Sequence, residues 1–311
     1  MGMDVLNDLL STMNMRGDVY FRCAFTAPWG MRIAPVSVAE FHIVVQGACC
    51  IQVLDRPDPV VLQAGDVVLF PHGQAHVLLD ATDTTPAPAH DIVPQIPSNY
   101  GPVVYGGGGV GADIICGYFE FDRGTNRALL EALPQFVHVQ GQAIAADFPW
   151  LNHTLHFIAH ETGHPRHGTE GVVNRLVEVM FIQIMRAYIA SQPHAGGLLG
   201  AIADPRLGRA LAALHRRPET PWRLEDLADV AGMSRSAFAA GFQSQVGQSP
   251  MQYLTAWRMG KAATLLTTTV QGLADIAEQC GYTSPVAFAK AFKRHFGVGP
   301  GRYRKGLLDP S

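Results

Sequence analysis

The sequence predicts an α+β chain of two unlike domains: an N-terminal β-barrel with a helical extension, then an all-α domain holding two helix-turn-helix units. Three observations predict it. Residues 19–121 read as short apolar runs broken by Gly and Pro, the pattern of closely spaced strands in a sandwich or small barrel. Residues 224–304 contain one pattern written twice, and internal repetition is a fold-level signal. The charge divides between the halves. Residues 1–203 hold 9 Arg, no Lys and 18 acidic residues, a balance of −9, whereas residues 204–311 hold 14 Lys and Arg against 8 acidic residues, a balance of +6. A basic end on an acidic body fits nucleic-acid binding by one end only.

A length of 311 residues suits two domains, and 48% hydrophobic with 16% charged residues is enough to build a core in each. No run of 18 apolar residues occurs, so no membrane partner is expected. Residues 1–14 carry Asp4 and Asp8 and lack a basic start, so no export signal is read and the expected compartment is the cytoplasm. Five scattered cysteines do not form a disulfide framework.

Taken in order, residues 6–15 suit a short helix. Strands are expected at residues 21–25, 33–38, 40–45, 49–54, 60–62 and 66–70. Residues 65–76 have the form Gly-x5-Pro-x-Gly-x2-His: Gly65 opens a turn, a strand follows, and a Pro71-x-Gly73 turn aims His76 inward. This stretch resembles the second motif of the cupin barrel, with Asp80 standing where cupins often have Asn. The first cupin motif, His-x-His with a Glu farther on, is represented only by Glu40, His42 and Gln46. Metal cupins offer several His and one carboxylate, so the resemblance leaves three readings open. One is a divalent metal at His42 and His76, with Glu40 and Gln46 as further ligands, although Gln is a poor ligand for a transition metal. Another is a barrel whose interior serves as an effector pocket. The third gives the histidines a structural role alone.

Residues 80–111 are Pro- and Gly-rich and read as a long loop, either a lid over the barrel mouth or a plain surface loop. Residues 114–121 read as a further strand containing Cys116. A buried strand cysteine behaves as a small hydrophobe, whereas a redox role needs a lowered pKa and access. Cys49 and Cys50 are adjacent and point to opposite faces.

From residue 123 the period becomes helical. Helices are expected at 126–133, 148–161 and 169–190. The second carries His153, His156 and His160, with His164 and His167 beyond, a stripe that suits a solvated or interface face better than a metal site. The third is so apolar that it must be buried on more than one side, against the barrel and a second subunit or within one chain. Residues 191–200 read as a linker. A helix is expected at 206–216, after Asp204 and Pro205.

The repeat begins beyond it. Ala228, Gly232 and Ser234 recur 49 residues later as Ala277, Gly281 and Thr283; Phe238, Phe242, Gly247, Pro250 and Tyr253 recur 50 residues later as Phe288, Phe292, Gly297, Pro300 and Tyr303. The Gly suits a left-handed residue at a helix end, the following hydroxyl caps the next helix, and the paired Phe residues share one helix face. A helix over 251–267 joins the copies. The second copy, from Gly281-Tyr-Thr-Ser-Pro to Arg302-Tyr-Arg304, closely resembles the signature of the AraC/XylS family of transcription regulators, and the likeness covers roughly the last hundred residues.

That resemblance implies a sequence-specific DNA-binding regulator, not an enzyme. A cupin-like sensory and dimerisation domain would span residues 1–195, with the barrel at about 15–122 and helices at about 123–190; the DNA-binding domain would span 203–306. The implied partners are double-stranded promoter DNA, a small-molecule effector, RNA polymerase and a second copy of the chain. By carry-over, base-facing positions are Arg235, Ser236, Ala239, Ala240 and Gln243 in the first unit and Ser284, Pro285, Val286, Ala289 and Lys290 in the second. Phosphate contacts would come from Lys293, Arg294, Arg302, Arg304 and Lys305. Few of these side chains are long and polar, so direct base readout is expected to be sparse and DNA shape to matter more. By analogy with related regulators, Cys116 with Cys23 is a candidate oxidant sensor, and a metal-binding cupin fused to a DNA-binding module is the alternative function.

Overall fold

The computed structural model describes residues 15–53, 58–93, 102–121, 133–191 and 197–306. The chain divides into two compact units, one formed by Met15–Phe121 with Leu133–Ser191 and the other C-terminal to it.

The first unit is built on two sheets. Strands β1 (Met15–Thr26), β3 (Ala39–Gln46), β6 (Val67–Phe70), β9 (Val103–Gly106), β10 (Gly111–Phe121) and β11 (Val137–Val139) form one, in the order β11-β6-β3-β10-β1-β9. Strands β2 (Gly30–Ile33), β4 (Ala48–Val53), β5 (Val60–Gln63), β7 (His76–Leu79) and β8 (Ala87–Pro88) form the other, in the order β5-β4-β7-β2-β8. Cys23, Phe25, Trp29, Met31, Ile51, Phe70, Leu78 and Ile114 fill the space between them.

Six of the seven expected strands lie close to where the sequence pattern places them. The strand expected at 33–38 does not: β2 ends at Ile33, and residues 34–38 are irregular. Pro35 lacks a ladder donor there, and the Val36 N–H turns instead to the Gly73 carbonyl, 2.9 Å away. The long segment 80–111 is not structureless. Its described part holds β8, a one-turn helix α1 (Ala89–Ile92) and β9, which pairs in parallel with β1. Periodicity also missed β7 and β11. The helices expected at 6–15 and 126–133 lie outside the described residues, apart from Met15, which opens β1, and Leu133.

Helices α2 (Gly141–Asp147), α3 (Pro149–Gly163) and α4 (Thr169–Ser191) follow. On α4, Val173, Val177, Met180, Phe181, Ile184 and Met185 are buried. Val177 meets β1 at Gly17, where an added Cβ would come within 2.5 Å of its Cγ1, so the missing side chain lets helix and strand approach. The Phe181 ring packs on those of Phe119 and Phe121 at centroid distances of 5.0 and 5.2 Å. The apolar composition of α4 is thus answered largely within the chain, with Val172 and Val179 left exposed.

The second unit is all helical: α5 (Gly197–Ala203), α6 (Leu207–Arg216), α7 (Leu224–Ala231), α8 (Arg235–Val246), α9 (Pro250–Thr268), α10 (Leu273–Gln279), α11 (Pro285–Phe296) and α12 (Pro300–Arg304). Residues 197–200, expected in a linker, belong instead to α5, where Leu198, Leu199 and Ala201 are buried. The Asp204 carboxylate accepts from the Arg206 and Leu207 N–H groups and starts α6.

Both helix-turn-helix units follow the turn chemistry of their sequence, except that the second helix of the second unit is capped by Ser284, one residue beyond Thr283, the match to Ser234 in the repeat. Gly232 and Gly281 are left-handed, with φ of +66° and +76°. The Ser234 and Ser284 hydroxyls accept from the Ala237 and Ala287 N–H groups, each at 3.3 Å, capping α8 and α11. Phe238 and Phe242, and likewise Phe288 and Phe292, are wholly buried beneath the second helix of their unit. Ser249 and Gln252 form a reciprocal capping box at the start of α9.

Candidate functional site

Between the sheets of the first unit lies a cavity of about 660 Å³. Its position follows from the strand pairing. Glu40 and His42 are two residues apart on β3 and share a face. β10 pairs with β3 so that Cys116 stands opposite His42. The Pro71-x-Gly73 turn then carries the chain from β6 in one sheet to β7 in the other. Only glycine fits there: at φ +65° an added Cβ would lie 2.3 and 2.4 Å from the Val36 and Val38 carbonyl oxygens. Beyond the turn, His76 stacks on Phe70 with centroids 3.8 Å apart and faces His42.

The polar atoms here form one closed chain. His42 Nε2 lies 2.7 Å from His76 Nε2, His42 Nδ1 lies 3.0 Å from Cys116 Sγ, and His76 Nδ1 lies 2.8 Å from the Gln74 carbonyl. Burial holds both imidazoles neutral, His76 near 4 and His42 well below its ordinary value with His76 as a further cause. The carbonyl can only accept, so His76 Nδ1 carries its proton and His76 Nε2 accepts. His42 Nε2–H then donates to it, which leaves His42 Nδ1 to accept from the Cys116 thiol. Burial raises that thiol well above its ordinary pKa, and Cys23 on the neighbouring strand acts in the same direction.

The arrangement does not fit a metal ion. The two imidazole lone pairs that would face it are taken by hydrogen bonds, and two Nε2 atoms at 2.7 Å are at hydrogen-bond separation. Among the described residues, no group of three His, Cys, Asp or Glu is placed to hold one. Gln46, read as a fourth ligand, is exposed and does not line the cavity. A register shift between Asp113 and Ile114 breaks the alternation that would have aimed it inward, and β3 ends at Gln46 itself, before Gly47 at φ +79°. His153, His156, His160, His164 and His167 are exposed on or after α3.

Glu40 differs from the histidines. It is 6% exposed, its Oε2 has no hydrogen-bond partner, and burial alone pushes its carboxyl up to about 7. Tyr20, Phe21, Met31, Ile33, Pro88 and Val93 supply much of the apolar wall. The sequence reading missed them because no motif marks them; Tyr20 and Phe21 enter through a bulge in β1 between Val19 and Phe21. Asp80, at the cupin Asn position, accepts from the Trp29 N–H and the Thr84 hydroxyl and closes a turn.

In the second unit, Arg235, Ser236, Ala240 and Gln243 on α8 are exposed and Ala239 is half-buried. Arg235 is paired with Glu225 at 3.0 Å, and Gln243 Nε2 donates to the Gly247 carbonyl. On α11, Pro285, Val286, Lys290, Lys293 and Arg294 are exposed, and Ala289 is half-buried. Ser284 is the cap of that helix. Arg302 and Lys305 are exposed at α12, whereas Arg304, read as a phosphate contact, donates to the Leu266 and Gln271 carbonyls and ties α12 down. Arg209, Arg258 and Lys261 likewise donate to backbone carbonyls, so part of the basic excess is structural.

Family models match both units: a cupin over residues 4–190 and a helix-turn-helix domain over residues 227–306. An AraC-like transcription regulator of Streptomyces lividans is 33% identical over 99% of this chain and all of its own length. The HTH-type transcriptional regulator MtrA of Neisseria gonorrhoeae is 32% identical over 97% of this chain and 98% of its own, and AlkR of Acinetobacter baylyi is 30% identical over 97% and 99%. A cupin domain joined to two helix-turn-helix units on one chain defines a DNA-binding transcription regulator. The chain belongs to the AraC family of these regulators.

Proposed function

We propose that a small molecule entering the cupin cavity controls how the paired helix-turn-helix units are presented to promoter DNA. The observation that carries this reading is the cavity itself: about 660 Å³, within the size range of small-molecule sites, apolar, with a few buried polar groups. In this reading residues 1–195 form the sensory and dimerisation domain and residues 203–306 the DNA-binding domain. The chain acts in the cytoplasm as a homodimer, engages RNA polymerase and catalyses no reaction. Arg235, Ser236, Ala239, Gln243, Ser284, Pro285, Val286 and Lys290 face bases, while Lys293, Arg294 and Arg302 grip phosphates. Arg304 adds charge there from its strapped position.

The test is binding of the full chain to DNA upstream of its own and neighbouring genes, with and without candidate effectors. Retarded binding that an effector alters is expected, weakened by Arg235→Ala and by Lys290→Ala. Binding indifferent to both substitutions would remove the assigned faces.

A second reading is favoured by one adjacency: Cys23 and Cys116 lie on paired strands, Cys23 opposite Ile114 and Cys116 opposite Phe21. Oxidation would join them and withdraw the Cys116 proton from His42. Transcription that responds to oxidant in the wild type and not in Cys116→Ser is expected under this reading, and an unchanged response would exclude it.

A further inference from the structure

We infer that the cupin cavity selects lipophilic organic cations, with Glu40 receiving an N–H-bearing cationic head and the apolar wall receiving its body. This rests on the reading of the cavity as the effector site and adds the ligand's chemistry.

Two kinds of buried polar group line the cavity beside Tyr20 and the exposed Arg32 and His90. His42, His76 and Cys116 satisfy one another and the Gln74 carbonyl, so they have little to offer a ligand. Glu40 is the opposite case: a buried carboxyl on the cavity lining, with its Oε2 left without a donor. A buried acceptor left unpaired is costly, and a ligand that supplies the donor recovers that cost on binding. No neighbouring cation lowers the Glu40 pKa. Arg32, the one Arg or Lys of the lining, is exposed. The site therefore has a buried acid with no cationic partner, and a protonated amine forms with it the stronger, charge-assisted kind of hydrogen bond. Tyr20 and Phe21 line the same cavity, and the faces of aromatic rings attract a cation where they repel a carboxylate. The remaining wall suits a hydrocarbon or aromatic body.

An anionic amphiphile has one rival arrangement, its head at exposed Arg32 and its tail inward, and the test separates the two. Decylamine, decanol and decanoate, each below its aggregation threshold, are titrated into the full-length protein by calorimetry at neutral pH. The amine is expected to bind at least tenfold more tightly than either of the others. In Glu40→Gln the amine should fall to the affinity of the alcohol. Val36→Trp, which fills the cavity from a partly exposed wall position, should remove binding of all three. Decanoate or decanol binding as well as the amine would overturn the inference and leave the effector cavity standing. An amine preference that survives Glu40→Gln or Val36→Trp would overturn it too. Failure of all three to bind would overturn the inference and the effector reading together.

Discussion

Burial pushes the Glu40 carboxyl up to about 7, against an ordinary value near 4.5, so the folded chain holds this proton more tightly than the unfolded chain does. Between those values the unfolded state has released the proton and the folded state has not. Stability from this residue is therefore intact at acid pH and declines as pH rises through the folded pKa. Glu40→Gln cannot ionise and escapes that loss. The variant is expected to match the wild type near pH 4 and to exceed it at pH 8 by up to about 3 kcal/mol, because each tenfold difference in proton affinity between the two states is worth roughly 1.4 kcal/mol. His76, held near 4, shows the opposite trend, losing stability as pH falls below about 6.5. Comparing variant with wild type at each pH cancels that contribution. Urea unfolding of the cupin transition at pH 5 and pH 8 measures the gap, and one that fails to widen with pH would show the carboxyl to be less buried than its surroundings imply. A residue that weakens its own domain in the absence of ligand is what a binding site in need of a partner looks like.

The elements of the DNA-binding unit depend on glycines that are not equivalent. Gly281 and Gly247 are both left-handed, at φ +76° and +79°. An added Cβ at Gly281 would lie 2.9 Å from the Glu219 carbonyl oxygen and 2.7 Å from the Arg258 guanidinium. At Gly247 it would meet nothing within 4 Å. Gly247→Ala should therefore cost only backbone strain, on the order of 1 kcal/mol. Gly281→Ala should cost appreciably more, because the Arg258 strap onto the Pro218 and Thr220 carbonyls must also shift. Thermal melts of the two variants decide it, and equal losses would mean that the strap has no energetic weight. These same residues explain what was legible in the sequence. A helix-turn-helix is written locally, in one Gly, one hydroxyl and two Phe a turn apart, so its repeats could be placed without a structure. The strand at β2 was misplaced because Pro35 and the pairing of Val36 with Gly73 are settled across the fold. The cavity was half legible: His76 and His42 stand in motifs, but the role of Cys116 depends on β10 register, and that of Gln46 on a bulge.

For the molecule as a whole, the +6 balance of residues 204–311 overstates the number of cationic side chains free to reach out to DNA. Arg209, Arg258, Lys261 and Arg304 are spent on backbone carbonyls, and Arg235 is paired with Glu225. The exposed cations Lys290, Lys293 and Arg294 cluster on α11, the second helix of the second unit, whereas α8 of the first unit holds Arg235 alone. The first unit also has Glu225, Asp226 and Asp229 on α7. Phosphate attraction should therefore be concentrated in the second unit, with the first contributing mainly shape and base contacts. Each phosphate contact contributes about 0.9 to the slope of log affinity against log salt. Replacing the phosphate-gripping Lys293, Arg294 and Arg302 together by Ala should lower that slope by as much as about 3 and weaken binding to all sequences alike. Arg235→Ala should leave the slope almost unchanged, since Glu225 already balances its charge, and should act instead on discrimination between sequences. Fluorescence anisotropy over a salt series, on cognate and scrambled DNA, gives both quantities from one set of titrations. Equal slope changes for the two variants would place phosphate grip in both units and contradict the asymmetry read from their charges.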